Sequence, residues 1–200
     1  MRRRLGGPSE FNGEGFVGLI RRAGSAVLLM AVSATGVAGQ GARQAGRDAY
    51  FGAVAEFFEL PRTEVSILGE WRLADDEIPV VLFMARRAGV SPEALVALRR
   101  SGRGWAELAR RYRLDAAQFH VPIPDAAPSG VLESAYQRFR SLPPARWSEI
   151  SLGDGDIVAL VNVRVLSQTL GKAPQEVLAA AGSGSWVDLY ARLIGGPGPH

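Results

Sequence analysis

Residues 73–108 read LADDEIPVVLFMARRAGVSPEALVALRRSGRGWAEL, and residues 152–189 read LGDGDIVALVNVRVLSQTLGKAPQEVLAAAGSGSWVDL. Both run through the same features in the same order: an acidic opening, an apolar run closed by glycine, a proline followed by an acid, then a Gly-bearing turn and a tryptophan. The offset is 79 residues at Asp75/Asp154, 82 at Pro92/Pro174 and 81 at Trp105/Trp186. The slips therefore fall inside the apolar run and in the Gly/Ser turn, where repeats accept insertions. Trp71 and Trp147 precede the two acidic openings by four and seven residues. Trp71, Trp105, Trp147 and Trp186 are thus all part of the pattern, and they are expected to be structural anchors.

Each stretch predicts three helices. Asp75, Asp76, Asp154 and Asp156 suit an N-cap and first turn, where carboxylates meet orphan amides and the positive end of the dipole. The runs 78–88 and 157–170 are apolar on most faces, which predicts buried central helices. Asn162 and Arg164 interrupt the second run and are expected to form a polar stripe facing solvent. Gly89 and Gly171 sit where a left-handed residue ends a helix. Ser91-Pro92 supplies an N-cap and an N1 proline for the next helix, and its counterpart starts at Pro174. Trp105 and Trp186 head the third helices. An aromatic helix precedes each unit, over 48–60 and 131–142, both halted by proline.

The fold class expected is all-α: two homologous three-helix units, each preceded by an aromatic helix, after an N-terminal signal segment. The expected organisation is a signal peptide over 1–39, a first helical unit over 40–120, a Pro-rich linker over 121–130, a second unit over 131–194, and a disordered tail over 195–200.

The formal charge of +3 is misleading. Residues 1–39 hold five arginines against two acids, and the rest of the chain carries 18 basic and 18 acidic residues. The leader joins a positive segment to an uncharged stretch, 23–39 (AGSAVLLMAVSATGVAG), that ends in small residues, the layout of a secretory signal. The stretch falls short of the roughly 20 apolar residues of a spanning helix. Cleavage after Ala38 or Gly39 and a periplasmic or secreted destination are expected, with membrane contact only through an uncleaved leader. There is no cysteine, which removes disulfides and thiolate chemistry. The remaining roughly 160 residues are long enough to bury about 70% of their unfolded surface.

Three constellations carry possible chemistry. The first is Leu98-Arg-Arg-Ser-Gly-Arg-Gly-Trp105-Ala-Glu-Leu-Ala-Arg-Arg-Tyr-Arg113-Leu114. It resembles the helix-turn-helix of recombinases and sigma-type regulators over about 20 residues, which implies phosphate contacts from Arg99, Arg100, Arg103, Arg110, Arg111 and Arg113. Against it stand the leader, the neutral body, and a second stretch that keeps only Arg192 of the basic set. The second is Asp154-Gly-Asp156, which superficially resembles dockerin and EF-hand calcium loops. The register then places Ile150, Leu152 and Val161 at ligand positions, so the calcium reading fails. The third is His120, the only internal histidine, whose apolar and aromatic neighbours suit a half-buried packing residue better than a base.

No HExxH, GxSxG, P-loop or GxGxxG motif occurs in a matching context. The arrangement over about 47–194 resembles exported bacterial proteins with paired helical units, and that resemblance implies no activity. The function expected is a non-catalytic exported interaction or structural module, with no cofactor and no metal, whose partner is a protein. Nucleic acid is the less favoured partner, through a cytoplasmic helix-turn-helix protein using the Arg99–Arg113 segment. The sequence leaves the oligomeric state open.

Overall fold

The computed structural model describes residues 35–196, with side chains from Gln40 onward. The signal segment up to residue 34 and the tail from residue 197 lie outside the described residues. Those described form an all-helical fold with no strand.

The chain enters through α1 (Thr35–Phe58), which starts earlier than its aromatic pattern predicts. Gln40 to Ala45 are exposed. Tyr50, Phe51, Ala53, Val54 and Ala55 are all buried, so α1 passes from solvent into the core along its length. Glu59 ends it at φ 53°, and α2 (Arg62–Gly69) buries Val65 and Leu68. A 3-10 turn, Asp75–Glu77, leads into α3 (Ile78–Ala88), whose residues from Ile78 to Ala85 are buried on every face. Gly89 closes α3 in the left-handed region at φ 67°, and Gly171 closes α8 (Asp154–Leu170) at φ 61°. A Cβ adds strain at such a φ, which is why glycine stands at both ends.

Beyond α3 come α4 (Pro92–Arg100), α5 (Trp105–Arg111) and the single turn α6 (Ala116–Phe119). Ser91 caps α4 by accepting from the Ala94 amide at 3.3 Å. Residues 121–129 run without helix to a 3-10 turn, Gly130–Leu132, and to α7 (Glu133–Ser141). A third 3-10 stretch, Pro144–Glu149, and an extended segment reach α8, followed by α9 (Pro174–Ala180) and α10 (Trp186–Ile194).

The central pair is α3 against α8, the two apolar runs of the sequence. Around them α1 packs on both α8 and α10, while α4 lies on α3 and α9 on α8. Gly46 lets α1 approach α10 closely, since a Cβ there would sit 3.2 Å from Ala191 Cβ. Helices from before and after residues 121–130 therefore contribute to one apolar core, from Tyr50 and Met84 to Leu166 and Leu189. Full burial of such side chains contributes about 1.5–3 kcal/mol each.

One expectation for α8 is corrected. Asn162 and Arg164 do not face solvent. Asn162 is fully buried, because α8 is surrounded by α1, α3, α9 and α10 and has no free side there.

Candidate functional site

The acidic openings were expected to cap the helices that follow them. Asp156 does so, accepting from the Gly153 amide at the N-cap of α8, while other carboxylates reach further. Asp76 Oδ2 accepts from the Trp186 amide at 3.2 Å, at the start of α10. Asp154 Oδ1 accepts from the Ala106 amide at 2.9 Å, at the start of α5. An acid from each half thus occupies the N-terminus of the other half's tryptophan-headed helix, 110 and 48 residues away in sequence. The remaining acids serve nearby groups. Glu77 Oε1 accepts from Trp105 Nε1 at 2.8 Å and from Arg99 Nη2 at 2.7 Å. Asp75 pairs with Arg47 at 2.9 Å, and Asp156 accepts from the Gly153 amide and from Arg138. Asp76 has no cation partner among the described residues, and burial, reinforced by Asp75 and Glu77, raises its pKa above the usual carboxylate value.

Asn162 ties this region to α1 and α8. Its Nδ2 donates to the Asp76 carbonyl at 2.9 Å and to the Val158 carbonyl at 2.8 Å, while its Oδ1 accepts from the Tyr50 hydroxyl. Burial drives the Tyr50 pKa well above its ordinary value, so the phenol remains a donor. The network satisfies a buried amide side chain and a buried hydroxyl together, as a dry interior requires.

The four tryptophans are not equivalent. Trp105 is fully buried, and its ring carries the Arg99 guanidinium at 5.3 Å. Trp71, Trp147 and Trp186 are half-buried against the core. Trp147 Nε1 donates to the carbonyls of Phe139 and Leu142 at 3.0 and 3.1 Å.

The six arginines singled out in 99–113 do not form one set. Arg99 is spent inward on Glu77, and Arg103 pairs with Glu107 four residues on. Arg100, Arg110, Arg111 and Arg113 are exposed and take no ion pair among the described residues. The α4–α5 hairpin has the order of a helix-turn-helix, but the end of α5 that would meet base edges is occupied by Asp154. The face bearing Trp105, Leu108 and Ala109 is buried.

His120 lies in an aromatic cluster, its ring centroid 4.1 Å from Trp147 and 4.7 Å from Phe139. Burial first, and then the Arg164 charge, lower its pKa. Arg164 Nη2 donates to the carbonyls of Gln118, Phe119 and His120 at 3.3, 3.0 and 2.7 Å, and its guanidinium lies 5.1 Å from the Phe83 ring centroid. It holds the end of α6 against α8. Tyr136 donates to the Val121 carbonyl, and burial pushes its pKa up to about 12. Among the described residues no three His, Asp or Glu side chains converge as a metal would require.

Several grooves open on this framework, and two of them run beside the tryptophan-headed helices. One, of about 350 Å³, lies beside α10 and the Gly182–Ser185 turn, with Trp186 and Leu189 among its walls. The other, of about 400 Å³, lies between α5 and residues 148–152. Its floor includes Ala109, Leu114, Phe119 and Ile157, and its charged residues are Arg110, Arg113, Asp115 and Glu149. Neither groove was visible in the sequence, because each joins residues tens of positions apart. The exchanged caps were likewise missed. Their only signal was a surplus of acids over what the following helix could use.

Compared with protein-family models, with curated proteins and with solved structures, the chain matches none.

Proposed function

We propose that this chain is a non-catalytic helical module, exported to the periplasm or the cell exterior by its N-terminal segment, which works by binding another protein. Its two halves descend from one duplicated unit of three helices. One observation carries the reading: the interior polar groups that link the two halves are committed to cohesion. Asp76 and Asp154 close helix ends, Glu77 holds Trp105 and Arg99, and Asn162 joins Tyr50 to the Asp76 carbonyl. Such an interior makes a rigid support on which surfaces, rather than buried reacting groups, supply function.

The exchange of caps also favours duplication. Asp154 corresponds to Asp75 in the sequence pairing and Ala106 to Val187, so the two contacts are shifted by one residue at each end, but in both an acid of one opening reaches the first turn of the tryptophan-headed helix of the other half.

The test is direct. The native protein should be recovered outside the cytoplasm, with an N-terminus near Gln40. An intact Met1 in the cytoplasm overturns export. Four exposed arginines favour the DNA reading, and a gel shift with duplex DNA at two salt concentrations decides it. A loss of affinity with salt amounting to several released counterions supports that reading, and no shift removes it.

A further inference from the structure

The groove between α5 and residues 148–152 carries charge that is unevenly committed. Of its four charged residues, the two acids are already engaged. Asp115 Oδ1 accepts from the Gln118 amide, and both carboxylate oxygens of Glu149 accept from Arg146, at 2.8 and 2.6 Å. The two guanidiniums, Arg110 and Arg113, are exposed and unpaired among the described residues. Arg113 also adopts φ 58°, the left-handed backbone that glycine takes at the ends of α3 and α8. Glu59 and Arg72 adopt the same backbone elsewhere, at φ 53° and 59°.

The facing wall is extended backbone. Ile150 has φ −76° and ψ 126°, and Gly153 has φ −79° and ψ 168°. Ile150 is buried, Ser151 exposed and Leu152 half-buried, the alternation of a strand. The Ile150 amide is spent on the Trp147 carbonyl at 3.1 Å, whereas the Ser151 and Leu152 amides, which an extended backbone turns to opposite sides, have no acceptor among the described residues. An apolar wall, two free guanidiniums and a segment with free amides therefore share one groove of about 400 Å³, a size that suits a small ligand or a peptide end.

We propose that this groove takes the C-terminal end of an extended peptide. Arg110 and Arg113 hold its free carboxylate, as guanidiniums do in paired geometry. Its last, apolar side chain rests against Leu114 and Leu152. A carbonyl of its backbone accepts from the exposed Ser151 amide, a single contact of the strand-addition kind. An amphipathic fatty acid shares the carboxylate and the apolar body, but it brings no carbonyl for that amide. The proposal rests on the reading of the chain as a protein-binding module.

The experiment is an NMR titration of the isotope-labelled full chain with acetyl-Gly-Ser-Val-Thr-Leu, as free acid and as C-terminal amide, and with decanoate. Saturable shifts are expected at Ala109, Leu114, Ser151 and Leu152 with the free acid. Affinity should be about tenfold or more lower for the amide, since a charge-assisted contact is lost. Arg110→Gln with Arg113→Gln should abolish binding of the acid, while Arg100→Gln with Arg111→Gln should leave it unchanged. Equal binding of acid and amide overturns the proposal. So do shifts outside the groove, decanoate binding as tightly as the peptide, equal loss in both double variants, or no saturable shift. The acid and amide are compared on the unaltered chain, so a variant that misfolds does not spoil the test. An exported protein that ignores the peptide loses only the groove, and a cytoplasmic one that binds it loses only export.

Discussion

The α4–α5 and α9–α10 hairpins are built on the same sequence plan, yet they are held very differently. In the first, Trp105 is fully buried, donates to Glu77 and lies under Arg99. In the second, Trp186 is half-buried, lines an open groove, and its turn carries Gly182 and Gly184 with open space where a Cβ would be. Both helices accept an acid from across the molecule at their first turn. The difference teaches that a tryptophan at a fixed pattern position does not carry a fixed energetic role. Its neighbours decide: Glu77 and Arg99 enclose one ring, and nothing comparable encloses the other.

The largest expected effect tests that asymmetry. Trp105→Ala should destabilise by about 3–5 kcal/mol, the range for removing a fully buried aromatic side chain. Trp186→Ala should cost about 1–2 kcal/mol, because part of its area already faces water. Equal shifts of the two urea midpoints would break the comparison.

Next in size is the buried network that joins the halves. Tyr50→Phe leaves the Asn162 oxygen without its donor and should cost about 1–3 kcal/mol. Chemical denaturation at neutral pH measures it, and a loss under a few tenths of a kcal/mol would show that the network is dispensable.

The exchanged caps come third. Asp154→Ala and Asp76→Ala should each cost about 0.5–2 kcal/mol, the range for an N-cap acceptor. Asp76 has a further signature in acid. The folded-state pKa of Asp76 is raised, so the native state binds its proton before the unfolded state does. Stability relative to Asp76→Asn should therefore rise as pH falls through the folded pKa toward the ordinary aspartate value. Melts of both proteins across that window would show the wild type gaining on the variant; parallel curves would contradict the assignment.

His120 gives the smallest effect and the opposite sign. Its pKa is lowered by burial and by Arg164, so the unfolded state binds the proton first. Stability should fall as pH drops below the ordinary histidine value, and the loss should be complete once pH is below the folded pKa. His120→Gln should flatten that limb. A His120 C2 proton titrating at its ordinary midpoint by NMR would refute it.

Much of the helical framework was legible in the sequence. The apolar runs, Gly89, Gly171, Ser91-Pro92 and Pro174 fall where the structure starts and ends α3, α4, α8 and α9, because capping and backbone freedom are local properties. The inward placement of Asn162 and Arg164 was not legible. Periodicity reads a polar residue in an apolar helix as solvent-facing, and only the three-dimensional partners, Tyr50 and the carbonyls of 118–120, reveal otherwise. The site residues divide in the same way. The arginines of 99–113 form one run in sequence, but Glu77 draws Arg99 inward and Glu107 pairs with Arg103 at the surface.

The crossed carboxylates of Asp76 and Asp154 also bear on how the chain can be cut. Severed near residue 125, the N-terminal fragment keeps Asp76 with no amide to receive and exposes the start of α5, while the C-terminal fragment has the converse defect. Each piece lacks what the other carries, so the two, produced separately and mixed, should recover a native spectrum that neither attains alone.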